Sequence, residues 1–129
     1  MQVRVYYEDT DAGGVVYHAN YLNYFERARG EYLRERGLSV KELHDGGSIF
    51  PVVRAEIDYR APAVLDDLLL IETDVAEIGR SSFTLSQRVV READGRLLVE
   101  GRITLACVGP GMRAKRLPAE LVATLQQGR

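Results

Sequence analysis

An α+β fold, in which a curved antiparallel β-sheet wraps around one long central α-helix, is predicted by three observations. A single long amphipathic segment, residues 20–37, comes early in the chain. From Val52 onward the chain breaks into alternating apolar and polar runs, punctuated by turn signals such as Gly79-Arg80 and Asp94-Gly95. Strands joined by such turns pair antiparallel, and their apolar face needs a cover that only the early helix is long enough to give. All 129 residues are read as one domain, 1–129.

Gln2 to Tyr7 alternates, with Val3, Val5 and Tyr7 on one face, and reads as a short strand. The helix follows. Tyr21, Leu22, Tyr24, Phe25, Ala28, Tyr32 and Leu33 fall at helical spacing, with Arg27, Glu31, Arg34 and Glu35 on the other side. Asn20 is suited to cap the first turn, and Arg27 with Glu31 makes an i,i+4 pair of opposite charge. Gly37 fits the left-handed position past the C-terminus. Gly30 costs the helix about 1 kcal/mol relative to Ala, which marks it as a place where another backbone passes close. Tyr21, Tyr24 and Tyr32 read as core and dimer contacts rather than a ligand box.

Val40, Leu43 and His44 allow a further helical turn or two until Asp45-Gly46-Gly47 breaks it, with His44 on the surface. Val52 to Tyr59 alternates cleanly, Val53, Ala55, Ile57 and Tyr59 on one face and Arg54, Glu56 and Asp58 on the other. Ala61-Pro62-Ala63 stops it. Leu68 to Ile78 and Ser82 to Glu92 are strands, the second with Phe83, Leu85 and Val89 inward. Asp94-Gly95 makes a hairpin to the last strand, Leu97 to Val108, with Leu97, Val99, Ile103 and Leu105 inward. Gly109-Pro110-Gly111 ends the sheet, a basic segment with Arg113, Lys115 and Arg116 follows, and Pro118 opens a short helix to about Gln127 through Leu121, Val122 and Leu125.

Composition excludes several classes. The net charge of −2 gives no pull toward nucleic acid. One cysteine cannot form an intramolecular disulfide, and Cys107 fits a small core position with no base nearby to make it a nucleophile. The two histidines and this cysteine lack zinc-ligand spacing, so no metal is expected. No apolar run reaches the roughly 18–20 residues that span a bilayer, and no secretory h-region opens the chain. A soluble cytoplasmic protein is the expectation.

The chemistry gathers in front of the helix. Asp11-Ala12-Gly13-Gly14 puts a carboxylate in a glycine loop, which turns tightly and leaves room for a ligand. The helix start adds unpaired N–H groups and the positive end of the helix dipole. A carboxylate beside an oxyanion-binding helix terminus is minimal equipment for hydrolysing an acyl group.

The run YYEDTDAGGVVYHANYLNYFERAR resembles the signature of the 4-hydroxybenzoyl-CoA thioesterase family, and within it the YbgC-like acyl-CoA thioesterases. IDYRAPAVLDDLL and IGRSSFTLSQRV are similar to the next two strands of that family. The resemblance implies a hotdog fold, a dimer whose two sheets join, often paired again into a tetramer, and active sites between subunits. It implies hydrolysis of an acyl-CoA without any cofactor, since coenzyme A is part of the substrate. Asp11 matches the catalytic aspartate, as nucleophile or as general base, and His18 the residue whose backbone N–H polarises the thioester carbonyl. Tyr17 and Gly14 lie in the same motif. Coenzyme A carries phosphates, so Arg60, Arg80, Arg113, Lys115 and Arg116 are candidate contacts, with Ser81 and Ser82 as donors to the pantetheine or phosphates. Arg60 departs from a pattern that often carries Leu there. Three alternatives stay open: acyl carrier protein as donor, a non-catalytic thioester binder, and a hotdog dehydratase, against which the carboxylate ahead of the helix speaks.

Overall fold

The early amphipathic segment is helical over Asn20–Arg34, named α1, in a computed structural model that describes residues 1–128. Before it lies β1, Gln2–Arg4, and after it α2, Val40–Asp45. The strands β2 (Val52–Tyr59), β3 (Leu68–Ile78), β4 (Ser82–Arg91) and β5 (Leu97–Ala106) follow, and α3, Ala119–Gln127, closes the chain. All strand pairs are antiparallel, in the order β1-β3-β4-β5-β2, so the α+β class is as predicted. The β3–β4 and β4–β5 connections are hairpins. β2, in contrast, does not pair with β3 but crosses to the far edge beside β5.

The inner face of the sheet takes α1. Tyr21, Tyr24, Phe25, Ala28, Tyr32 and Leu33 are buried against Leu69, Ile71, Leu85, Val89 and Ile103. Phe25 packs its ring directly on β5: a Cβ on Gly101 would lie 2.6 Å from the ring edge. The Gln87 amide, fully buried on β4, donates to the Phe25 carbonyl at 2.9 Å and to Thr73 Oγ1 at 3.0 Å, which ties the helix to two strands. The outer face is solvated and carries cross-strand ion pairs, Arg88 to Glu72 and Asp74, and Arg102 to Glu77. Replacing Gly101 with Ala should therefore destabilise the fold by about 1–3 kcal/mol, the usual cost of overpacking a filled core. Urea unfolding measures it, and an unchanged midpoint would mean that Phe25 has room to move.

Several local expectations are corrected. Asn20 does not cap α1: Ala19 occupies that position, and the Asn20 amide donates instead to Asp9 Oδ1 at 3.0 Å. Arg27 makes no pair with Glu31 among the described residues; it stacks on Tyr24, while Glu31 pairs with Arg34. Among the described residues nothing lies within 4 Å of a Cβ built on Gly30, so the expected close approach of another backbone is not found there. Tyr7 leaves the strand face after Arg4 and is 83% exposed on a 3₁₀ turn. A bulge opposite Val89–Val90 turns Leu98 fully into the core, while Leu97 is only half-buried. Val53, Ala55 and Tyr59 are exposed on β2, an edge strand.

Other readings hold. Gly37 is left-handed at φ 84°, and the Leu38 N–H returns to the Leu33 carbonyl at 2.9 Å, closing the helix end. Gly95 turns the β4–β5 hairpin at φ 68°, with its N–H on the Arg91 carbonyl. His44 is exposed and Cys107 is fully buried. No helix among the described residues is long and apolar enough to cross a membrane.

Candidate active site

The loop before α1 is a miniature hairpin. The Asp11 N–H donates to the Val15 carbonyl at 2.9 Å, and the Gly14 N–H to the Asp11 carbonyl at 3.0 Å. Gly14 closes this turn at φ 82°, a conformation that suits glycine. The Gly13 N–H donates to Asp11 Oδ1 at 2.8 Å, and a Cβ on Gly13 would stand 3.2 Å from that oxygen. One carboxylate oxygen is thus held, while Oδ2 meets no donor among the described residues. The loop is clipped to the segment after β2, where the Val16 N–H donates to the Ala63 carbonyl at 2.9 Å.

Asp9 organises the loop from behind. Its Oδ2 accepts from the Tyr6 N–H at 2.8 Å, its Oδ1 from Asn20, and its carbonyl from the Tyr17 N–H at 2.9 Å. The Tyr24 hydroxyl lies buried beside Asp9 and Asn20 but meets neither in good hydrogen-bond geometry. Burial first, and the Asp9 charge next, hold that phenol well above its ordinary pKa, so it is neutral.

At the start of α1 the Tyr17 carbonyl accepts the Asn20 N–H at 2.8 Å. The His18 carbonyl accepts the Tyr59 hydroxyl, also at 2.8 Å. The N–H of His18 has no acceptor among the described residues. The imidazole is exposed and lies against Tyr17, ring centroids 4.6 Å apart. Tyr21 reaches the other way, its hydroxyl accepting the Ala63 N–H at 3.2 Å. Burial pushes the Tyr21 and Tyr59 phenols up, so both remain protonated.

Asp11, His18, Tyr21, Tyr59 and Arg60 border one open cavity of about 320 Å³, floored by Val16 and Ala61. Asp11 and Gly14 also border a second cavity, of about 450 Å³, beside Tyr7 and Leu65. Asp11 is shared by both, and Tyr17 lines neither. No trio of His, Cys, Asp or Glu side chains among the described residues is placed to hold a metal.

The proposed phosphate contacts divide. Arg60 borders the Asp11 cavity, but Glu100 takes its guanidinium, at 3.0 Å from Nε and 2.7 Å from Nη2. The rest lie at the other end of the sheet. Ser82 pairs with Ala106 and Tyr59 with Val99, seven residues earlier on β5, a separation of roughly 23 Å at strand rise. The Arg80 carbonyl accepts the Leu117 N–H, and the Ser81 carbonyl the Cys107 N–H. The Lys115 amine donates to Ser48 Oγ at 2.8 Å, with Arg113 and Arg116 exposed beside it. None of Arg80, Ser81, Ser82, Arg113 and Lys115 borders the Asp11 cavity of this chain. Sequence pattern alone does not mark Tyr59 or Asp9 as residues of the site. The only hint was that both stand inside the two distinctive motifs.

The sheet wrapped around α1 is the hotdog arrangement, with Asp11 and the start of that helix on one cavity. The chain belongs to the thioesterase superfamily, whose family model, 4HBT, it matches over residues 13–98. It is 44% identical over 126 residues to a protein of Escherichia coli O6:H1 named acyl-CoA thioester hydrolase YbgC, covering 97% of this chain and 93% of that one. A Haemophilus influenzae protein named acyl-CoA thioesterase YbgC is 46% identical over 123 residues, 94% of this chain and 89% of the other. A solved structure of a hypothetical protein from Thermus thermophilus superposes with TM-score 0.92 at 34% identity, over 100% of this chain and 98% of that one. The chain is thus a YbgC-like thioesterase.

Proposed function

We propose that the protein hydrolyses acyl-CoA thioesters to the free acid and coenzyme A, with Asp11 and the start of α1 as the reacting site. The observation that carries this reading is the single cavity that holds both Asp11 and His18. Asp11 Oδ1 is fixed by Gly13, and Oδ2 is left to take a proton from water or to attack the carbonyl carbon itself. The His18 N–H polarises the thioester oxygen and takes the developing negative charge. Collapse of the tetrahedral species breaks the C–S bond, and the leaving thiolate takes the proton that water gave up; where Asp11 itself attacks, water then hydrolyses the mixed anhydride, freeing the acid and the carboxylate and supplying that proton. Thioesters are already activated acyl donors, so no cofactor enters.

Two protomers complete the site in this reading. β2 presents a free edge and two exposed faces. Joined antiparallel, two such edges bring the Val52 end of one protomer to the Tyr59 end of the other. The Arg80–Ser82 turn and the Arg113–Lys115 segment lie at the Val52 end, where Val52 pairs with Leu105 and Ile49 with Val108. These cations then stand at the mouth of the partner's Asp11 cavity and meet the phosphates of coenzyme A or of a carrier protein's phosphopantetheine.

Thiol release from short, long and aromatic acyl-CoAs tests the reaction. Turnover of at least one is expected, and no release from any by the folded protein would overturn it. Inhibition by free coenzyme A identifies the donor as CoA rather than a carrier protein. Co-expression tests the shared site. Asp11→Asn and a chain carrying Arg80→Ala with Lys115→Ala, each weak alone, should regain about a quarter of wild-type turnover when mixed as dimers, since half the dimers then hold one intact site. No regain in mixed dimers would place both groups in one protomer's site.

A further inference from the structure

We propose that Tyr59 is a positioning residue of this reaction, holding the His18 backbone in place through the hydrogen bond from its hydroxyl to the His18 carbonyl. The inference rests on the proposed role of the His18 N–H. A backbone donor is useful to a developing oxyanion only if its peptide plane is fixed before the charge appears. Two bonds fix the planes on either side of His18. The Asn20 N–H, at 2.8 Å from the Tyr17 carbonyl, sets the plane that carries the His18 N–H. The Tyr59 hydroxyl, at 2.8 Å from the His18 carbonyl, sets the next one. The first bond is a local turn, whereas the second crosses 41 positions of sequence and ties the helix start to the edge strand β2. Without it, the plane that follows His18 is unheld, and the turn that aims the His18 N–H rests on the Asn20 bond alone.

The donor is well chosen for this task. Partial desolvation raises the Tyr59 phenol above its ordinary pKa, so it stays protonated and able to donate. Its ring lies 5.7 Å from the Tyr21 ring and 6.4 Å from the His18 imidazole, centroid to centroid, and walls the same cavity. Tyr21 in turn accepts the Ala63 N–H, so the ring that supports Tyr59 also anchors the segment below Asp11. Tyr59 therefore links the two halves of the site without needing to touch the reacting atoms.

Tyr59→Phe removes the hydroxyl and keeps the ring. With the best acyl-CoA of the panel, kcat should fall roughly three- to tenfold, the scale of one lost hydrogen bond expressed in the transition state, while KM and inhibition by free coenzyme A stay within about twofold. The melting temperature, read on the same samples, should move little, because β2 remains paired to β5. An unchanged kcat overturns the proposal. So does a fall in kcat that Tyr59→Phe shares with an equal rise in KM, or one that vanishes below a lowered melting point, since either is the mark of a purely structural clip. Asp11→Asn run alongside separates the two readings. If it is inactive while Tyr59→Phe matches wild type, only the positioning role falls; if it is fully active, both fall.

Discussion

Asp11→Asn should give a folded protein whose turnover of acyl-CoA is at least about a hundredfold below wild type, the scale of a positioned acid–base group. The substitution separates chemistry from structure unusually well. The structural bond at this position is made by Oδ1, which accepts the Gly13 N–H, and an asparagine carbonyl oxygen can accept the same bond. The turn closed by the Gly14 N–H uses the backbone of residue 11 and is untouched. Residue 11 is exposed, so no core packing changes with it. What disappears is the second carboxylate oxygen, the one that meets no donor among the described residues, and with it the capacity to take a proton or to attack a carbonyl. The measurement is thiol release at saturating substrate, paired with thermal unfolding of the same preparation. Turnover within a few-fold of wild type at an unchanged melting point would remove Asp11 from the mechanism.

Sequence pattern resolved the fold where periodicity is strong and local. α1 buries the residues its spacing predicts, Leu22 excepted, and the hairpins around Gly79 and Asp94-Gly95 form as their turn residues demand. It failed where burial depends on distant chain. The alternation of β2 is real, but alternation says which residues share a face and not whether anything covers that face. Leu98 entered the core through a bulge, which shifts the inward set by one and leaves no mark in the periodicity. Asn20 looked like a cap because its type favours one, yet a carboxylate eleven residues earlier, Asp9, competes for its amide and wins. At the site, the Asp11 loop and the helix start were legible because glycine turns and helix termini are local devices. Tyr59 was not, since its partner lies 41 residues away and the strand pattern places it only on one face of β2. The cation set was found by residue type alone, and type cannot tell which end of a strand a residue occupies.

Truncating Phe25 to Ala should cost the fold about 3–5 kcal/mol, a large share of the stability of an ordinary domain. The ring is fully buried between α1 and β5. Opposite it stands Gly101, and that glycine makes the site hard to repair: with no side chain on β5 at this point, nothing on the strand can relax into the space the ring leaves. Gln87 holds the Phe25 carbonyl in place as well, so the helix backbone is restrained from settling onto the sheet. Both restraints favour an open cavity over collapse, and costs rise with the volume that stays empty. Urea unfolding gives the magnitude, and a loss below about 1.5 kcal/mol would mean the helix does settle. The same geometry predicts coupling. Gly101→Ala forces a contact with the Phe25 ring in the wild-type background, but in Phe25→Ala its methyl enters empty space. Its cost there should shrink or change sign, giving an interaction energy within the roughly 0.5–3 kcal/mol found for touching residues. Additive losses across that cycle would show that the two positions do not meet, and the account of how α1 seats on β5 would have to be given up.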